Sequence, residues 1–190
     1  HGSTSKEARL YDEIVSVPLL VSFPPAIPQG RRIATQVRTI DILPTVLDLV
    51  GLPGPVEAEG RSLLPIIRGE ETLDRTAFIQ TSRAGYQEKD PASVTDHIRA
   101  VRTGGWKLIQ YDFADVPMRF ELFNIANDPG EQIDLHEAEG GRVGALKQLL
   151  LGWATREAAR RPPPPDPGPP PSLVSRLFSI FSTREVDLTG

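Results

Sequence analysis

The chain has 190 residues, with 25 acidic and 21 basic side chains and a formal net charge of −4. This balance gives no electrostatic basis for binding nucleic acid, and no stretch reaches the roughly 18 consecutive apolar residues that a membrane-spanning helix needs. Cysteine is absent, which excludes disulfides, thiolate metal ligands and a cysteine nucleophile from these residues. The length and an ordinary content of 39% hydrophobic residues predict one globular domain with a tail.

The chain opens on a polar loop, HGSTSK, that leads through residues 11–13 into the apolar run VPLLVSF at residues 17–23. The run is continuous rather than alternating, which is typical of a parallel strand buried on both faces. A chain that opens on His1, has Met118 as its single methionine and lacks a secretion-signal pattern is expected to be a piece of a longer protein.

Two helices are predicted next. In TIDILPTVLDLVG, Asp41 is placed to cap the first amides, and Pro44 falls in the first turn, where its missing N–H costs little. Gly51 supplies the stop. An apolar stripe is expected to face the core, formed by Ile42, Val46, Leu49 and Val50. SLLPIIRG, at residues 62–69, predicts a short helical turn that ends at its glycine.

The second half predicts antiparallel strands. TAFIQT and RFELFNI are strand-like runs, and between them HIRAVRT and WKLIQY are separated only by Gly104 and Gly105. Two glycines between such runs indicate a tight hairpin, because both turn positions favour a positive φ. Pro129 and Gly130 are placed as the centre of a type II turn.

A helix is predicted from Val143 to Ala158, where apolar residues recur at helical spacing and would pack on the antiparallel sheet. These residues are Val143, Leu146, Leu149, Leu150, Trp153 and Ala154. The run PPPPDPGPPP that follows cannot join a core and predicts extended polyproline II. Beyond it, residues 173–181 are either a poorly ordered tail or a short amphipathic helix that contacts a protein or a membrane surface.

Five motifs stand in one order along the chain. HG with LYDE and VPLLV comes first, then IDILPTVLDLVGL, GRSLLPIIRG and RAVRTGGWKLI, and last ELFNIANDPGEQIDL. This order resembles the C-terminal part of a sulfatase of the arylsulfatase type, in the alkaline-phosphatase-like superfamily. Each motif is weak alone, and the last two together are the most specific. The resemblance covers residues 1 to about 158 and leaves out the proline-rich tail.

The resemblance implies an α/β fold, namely the C-terminal fragment of an alkaline-phosphatase-like α/β sandwich, with a small antiparallel sheet, a packed helix and then the Pro-rich tail. Residues 1–75 would form the end of the α/β core. Residues 76–160 would form the antiparallel-sheet subdomain with its closing helix, and residues 161–190 the linker and amphipathic tail.

The resemblance also implies a reaction, the metal-dependent hydrolysis of a small-molecule or carbohydrate sulfate ester. In the family, a Cys or Ser in a C/S-x-P-x-R motif becomes a formylglycine, whose hydrate attacks sulfur beside a divalent cation, usually calcium. This chain departs from that pattern: it has no Cys, and SVPLL has Leu20 where the arginine would stand. The family's paired acidic metal ligands are unmatched as well. We therefore expect the nucleophile and most metal ligands to lie outside this chain, which alone would be inactive.

Two candidate catalytic residues, Lys6 and His1, are implied by the resemblance. Lys6 matches the Lys or His that precedes LYDE in the family, where a cation can neutralise a sulfate oxygen or the leaving-group oxygen. The alternative is an ordinary exposed loop lysine. His1 matches either a metal-binding Asp-His/Asn-Gly motif or a later His-Gly of the same loop, and its distance of ten residues from Tyr11 favours the later one. The remaining alternative is a terminal histidine with no role.

Other polar residues are interpreted as structural. Residues 11–13 are expected to set the loop before the strand, and His97 and His136 to be incidental. The basic residues of the hairpin strands are expected on a solvated face: Arg99, Arg102 and Lys107.

Two further functions remain open from the sequence. One is a phosphonate or phosphate ester hydrolase of the same superfamily, which would share the C-terminal motifs. The other is a non-catalytic sulfatase-like module that binds a partner through the Pro-rich tail.

Overall fold

The computed structural model describes residues 9–54, 58–82 and 97–160. Helices come first: α1 (Asp12–Val15), a 3₁₀ turn (Thr39–Asp41), α2 (Ile42–Leu49) and α3 (Leu64–Arg68). Four strands follow, β1 (Ala77–Ser82), β2 (His97–Thr103), β3 (Trp106–Phe113) and β4 (Val116–Asn124), and then α4 (Gly140–Arg160). The predictions for residues 1–8 and 161–190 lie outside the described residues.

The strands form one antiparallel sheet in the order β1-β2-β3-β4, as the sequence predicts. Gly104 and Gly105 join β2 to β3 with φ values of 55° and 75°. Positive φ at both positions is the geometry of a type I′ hairpin, whose twist matches that of the strands. The predicted hairpin is confirmed.

The sheet is covered on both faces. On one face, cross-strand partners Val101, Leu108 and Leu122 pack under α4. The helix contributes Val143, Leu146 and Leu150 to this core. Phe78 and Trp153 extend the contact with stacked rings whose centroids lie 5.2 Å apart. The closing helix is therefore confirmed, although Leu149 of the predicted stripe is exposed because it lies on the side of α4 away from the sheet.

The other face of the sheet is covered by the segment that enters and forms α1. Leu10 is buried there against apolar side chains of the three longer strands, with Tyr11 and Val15 packed at the edge of the cluster. The buried sheet residues are Ile98, Ala100, Ile109, Tyr111 and Phe123, joined by Ile125 just after β4. This contact places the chain that follows the polar opening loop directly on the carboxy-terminal sheet.

The predicted buried strand at residues 17–23 is wrong for this structure. The segment is not part of a β-strand, and its side chains are exposed apart from the half-buried Phe23. Leu20 is the extreme case, with 89% of its surface exposed. A β-strand needs hydrogen-bonding partners on a neighbouring strand, and within the described ranges none lies beside this segment.

Helix α2 occurs where it was predicted, but the buried face was predicted wrongly. Ile42, Val46 and Val50 are exposed, and Leu49 is half-buried against the α3 cluster. Thr45 is the buried residue instead, because its Oγ1 donates to Asp41 O at 2.6 Å and accepts from Leu63 N at 2.9 Å. The short helix α3 is confirmed and ends at Gly69.

The turn at residues 128–131 is present, but its predicted type is wrong. Glu131 N donates to Asp128 O at 3.1 Å, so Pro129 and Gly130 occupy the central positions. A type II turn needs a positive φ at the third residue. Gly130 does not adopt one, whereas Glu131 does, with φ 51°. In this backbone conformation, the side chain of Glu131 reaches α1 and accepts a hydrogen bond from Asp12 N.

Candidate functional site

Both candidate catalytic residues, His1 and Lys6, precede the described residues, so their placement stays a prediction. The structure does describe the chain immediately after them. Residues 9–15 lie on the sheet face opposite α4 and are fastened there by polar contacts as well as by Leu10. The candidate site is therefore built from what holds this segment.

Tyr11 is held by a carboxylate on β4. Its hydroxyl donates to Glu121 Oε2 at 2.8 Å, and its ring meets Phe123 edge-on with the centroids 5.9 Å apart. Tyr111 on β3 donates to the same Oε2 at 2.8 Å. Arg119 occupies the other oxygen of Glu121 at 2.5 Å and covers the Tyr111 ring.

Burial is the main reason that the pKa values of Tyr11 and Tyr111 are raised, and the neighbouring Glu121 carboxylate raises them further. Both phenols therefore stay protonated and act as donors. An ionised tyrosine would be the usual candidate for a base or nucleophile, so this pair is positioned to hold structure rather than to react.

Asp12 is held by two cations of the hairpin strands. Its Oδ1 lies 2.9 Å from Lys107 Nζ, and its Oδ2 lies 3.2 Å from Arg102 Nη2. Lys107 also contacts Glu131 Oε1 at 2.9 Å. Glu131 Oε2 in turn accepts from Asp12 N at 2.5 Å.

The prediction of a solvated basic face is thus wrong for Lys107, which is fully buried. Arg102 is partly exposed but paired with Asp12, and Arg99 is partly exposed and lies 3.5 Å from Asp112. Alternation along a strand shows only which residues share a face, not whether another segment covers that face. The acidic residues of LYDE and NDPGE were the feature of the sequence that could have predicted a buried Lys107, since a buried lysine needs carboxylate partners.

A second buried cluster surrounds Asp41, whose carboxylate is fully buried. Arg38 Nη2 lies 2.8 Å from it and Arg75 Nη1 3.2 Å, while Arg61 N donates at 3.0 Å. Asp41 was predicted to cap α2, and this prediction is wrong, because its side chain makes no capping hydrogen bond to the helix. It accepts from Arg38 N instead and so closes the preceding 3₁₀ turn.

The pKa of Asp41 reflects two opposing effects. Burial acts to raise it, but the hydrogen bonds from Arg38 and Arg61 N, with the charges of Arg38 and Arg75, outweigh burial and hold the pKa below its ordinary value. Arg75 is buried too, and its pKa is raised first by hydrogen bonding to Glu71 and then by Asp41. Asp41 and Arg75 therefore both stay ionised and form a buried ion pair.

Neither cluster is a cation site. Among residues 9–54, 58–82 and 97–160, no group of three or more His, Asp or Glu side chains is arranged to hold a metal ion. Asp12 and Glu131 are neutralised by Lys107, and Asp41 by arginines. The described residues thus do not fit a calcium ion. The same part of the chain has no helix with the length and apolar content to cross a bilayer.

With this geometry, the comparisons with known proteins agree on one class. Residues 1–149 match the family of N-sulphoglucosamine sulphohydrolase C-terminal regions, and the chain belongs to this family. This chain is therefore related to sulfatases. The related region includes the small antiparallel sheet, its closing helix and the LYDE segment that packs on the sheet.

Particular sulfatases show the extent of the likeness. Arylsulfatase K of Homo sapiens is 31% identical over 140 residues, which cover 69% of this chain and 25% of that protein. Delta 4,5-hexuronate-2-O-sulfatase of Bacteroides thetaiotaomicron is 32% identical over 139 residues, covering 71% and 27%. The chain thus spans about a quarter of the length of the curated relatives it matches.

Solved structures share the fold. One, in complex with its substrate D-glucosamine-2-N,6-O-disulfate, superposes with a TM-score of 0.56 at 25% identity, covering 74% of this chain and 28% of that one. A Bacteroides fragilis protein assigned to the sulfatases superposes at 0.58, covering 70% and 28%; at 17% identity it supports the fold alone. The predicted α/β sulfatase C-terminal fold is confirmed.

Proposed function

We propose that the complete protein containing this chain is a sulfatase that hydrolyses sulfate esters of carbohydrates. The observation that carries the proposal is the family match over residues 1–149, which includes the opening HG and LYDE motifs as well as the sheet. The choice of carbohydrate is supported by two relatives, one whose name specifies a hexuronate 2-O-sulfate and one solved with a sulfated glucosamine.

The chemistry needs groups that these 190 residues do not supply. Hydrolysis of a sulfate ester requires a strong nucleophile at sulfur, and the chain contains neither a Cys nor an S-x-P-x-R motif that could become formylglycine. A divalent cation, which we expect to be calcium, would offset charge on the sulfuryl oxygens, and its ligands would come mostly from outside this chain. On this proposal the 190 residues supply a supporting part of the active site.

Lys6 is the residue of this chain that we assign to the reaction. As the S–O bond breaks, negative charge develops on the bridging oxygen, and a fixed cation nearby stabilises it. Lys6 precedes the described residues 9–15 by three positions in the sequence, and that segment is held on the sheet, so the covalent chain limits how far Lys6 can lie from it. We assign His1 to the same site, as the later His-Gly of the family pattern.

The test compares three forms of the protein on an aryl sulfate and on sulfated glucosamine and uronate sugars. The complete protein should turn over, and the 190-residue chain alone should not. Lys6→Ala in the complete protein should lower kcat by about 10²–10³, the usual loss for one preorganised donor. Lys147→Ala is the matched control and should leave kcat unchanged, because this lysine lies on α4 with its ammonium 3.7 Å from the centre of the Phe120 ring.

Three results would contradict the proposal. Multiple turnover by the 190-residue chain would mean that the nucleophile lies within it. Faster hydrolysis of phosphonate or phosphate esters than of sulfate esters by the complete protein would identify the related hydrolase class instead. Absence of hydrolysis of all these esters, with Tm and calcium content normal, would favour a non-catalytic sulfatase-like module.

A further inference from the structure

The first motif of the chain and the last two meet at one buried cluster of charges. Lys107, from GGWKLI, is fully buried between Asp12 of LYDE and Glu131 of NDPGE, at 2.9 Å from each. Arg102 completes the cluster at 3.2 Å from Asp12. Two carboxylates and two cations balance, so the cluster carries no net charge and offers no anion or cation site.

One residue of this cluster has an unusual backbone conformation. Glu131 adopts a left-handed backbone with φ 51°, which residues other than glycine rarely do. The conformation brings Glu131 Oε1 within 2.9 Å of Lys107 Nζ as an ion pair without hydrogen-bond geometry, and it lets Oε2 accept from the amide of Asp12, 119 residues away in sequence. A strained residue that two distant partners hold in place is a common feature of sites that need exact placement.

Stability alone does not account for such an arrangement. Burying an ion pair costs desolvation that its attraction often only just offsets, and apolar side chains of the same volume commonly serve as well. The hydrogen bonds from Lys107 Nζ to Asp12 Oδ1 and from Asp12 N to Glu131 differ from an apolar contact in being directional. They determine where the backbone of Asp12 lies along the sheet, whereas Leu10 by itself could pack in more than one register.

We propose that Asp12, Lys107, Glu131 and Arg102 form a clamp that positions the loop carrying Lys6 for sulfate ester hydrolysis. Lys6 precedes Asp12 by six residues, and six residues of chain reach at most about 20 Å, so holding Asp12 limits where Lys6 can lie. The four are positioning residues, since they act through the loop. This inference rests on the proposed function.

The experiment uses Asp12→Asn in the complete protein, a change that keeps the shape of the side chain and removes the charge facing Lys107. A triple variant, Asp12→Asn with Lys107→Met and Glu131→Gln, leaves no fully buried charge unpaired, since Arg102 is partly exposed to water, and it guards against misfolding of the single variant. Asp112→Asn is the matched control, because its carboxylate pairs with Arg99 on the same sheet but outside the clamp.

Two readouts separate positioning from general stability. Hydrogen exchange of the amides of residues 10–16 should speed up at least tenfold in both clamp variants, with β2 and β3 unchanged and the control unaffected. On sulfate esters, kcat should fall about 10²-fold with little change in KM, the usual result of misplacing a catalytic group. The loss should be much smaller in a Lys6→Ala background, because the clamp acts through Lys6.

Unchanged exchange at residues 10–16 would overturn the clamp, whatever the activity. Losses of kcat that simply multiply with that of Lys6→Ala, or that accompany faster exchange throughout the sheet, would show a structural role and overturn the positioning claim. If the wild-type protein hydrolyses no sulfate ester, the proposed function fails. In that case the exchange measurement still decides by itself whether the cluster holds the segment.

Discussion

Residues 77–160 and residues 17–52 are both rich in apolar side chains but bury them differently. In the sheet and α4, leucines such as Leu108 and Leu122 are fully buried between two packed layers. In residues 17–52, Leu20, Val46 and most of their apolar neighbours are exposed. Apolar residues thus stabilise residues 77–160 by burial. Among the described residues, the same residue types contribute little by burial in residues 17–52.

The second region is held by directional polar contacts instead. Asp41 is fully buried between Arg38 and Arg75, and Thr45 links α2 to Leu63 through its hydroxyl. Such contacts need few side chains, but each depends on its partner, because an unpaired buried charge is costly. Residues 17–52 should therefore be sensitive to substitution at a few polar positions and tolerant at apolar ones, and the sheet should behave in the opposite way.

The largest expected effect is at Asp41. Asp41→Ala removes the buried carboxylate that pairs with Arg38 and Arg75 and that accepts from Arg61 N, so that Arg75 keeps Glu71 but loses its buried partner. The change should lower the free energy of unfolding by about 3–5 kcal/mol. Asp48→Ala, at an exposed position on α2, is the control and should change it by no more than about 0.5 kcal/mol. Urea denaturation of the 190-residue chain measures both. Equal effects would mean that the Asp41 cluster does not hold this region.

Asp41 also makes a prediction for pH, because its pKa is lowered in the folded protein. A lowered carboxyl pKa contributes stability above the unfolded value of about 3.9, and the contribution is lost as the pH falls through the folded value. The stability difference between wild type and Asp41→Asn should therefore be constant at neutral pH and shrink below about pH 4. A difference that grew on acidification would contradict the assigned direction.

A pair of matched leucines tests the comparison at apolar positions. Leu122→Ala, in the core under α4, should cost about 2–5 kcal/mol because it leaves a cavity. Leu20→Ala, with 89% of the side chain exposed, should cost no more than about 0.5 kcal/mol. Both are measured by urea denaturation of the same chain. A large loss at Leu20 would show that residues 17–23 are packed in solution.

The smallest expected effects come from a pair of turn glycines, one in each region. Gly105 has φ 75° and Gly51 has φ 71°, so alanine at either costs about 1–2 kcal/mol from the left-handed backbone alone. An added Cβ at Gly105 would also lie 3.1 Å from Ala126 Cβ, whereas at Gly51 it meets nothing. Gly105→Ala should thus lower Tm more than Gly51→Ala. The reverse order would mean that the hairpin turn is less tightly packed than the loop.

Elements whose causes are local could be predicted from the amino-acid sequence alone. Gly104 and Gly105 specify the hairpin because few other residues accept two positive φ values in succession. The spacing of Val143, Leu146 and Leu150 specifies a helix with one apolar face. The predicted antiparallel sheet was the surface on which that face could be buried. The order of motifs also identified the sulfatase family, which the comparisons confirmed.

Burial could not be predicted where the packing partner of a residue is distant in sequence, and it became known from the three-dimensional structure. Lys107 looks like a solvated strand lysine until Asp12, 95 residues earlier, is placed against it. The run at residues 17–23 has the composition of a buried strand, but it forms a strand only if another strand lies beside it to accept its hydrogen bonds. Burial and pairing belong to two segments at once, so the pattern within either segment cannot specify them.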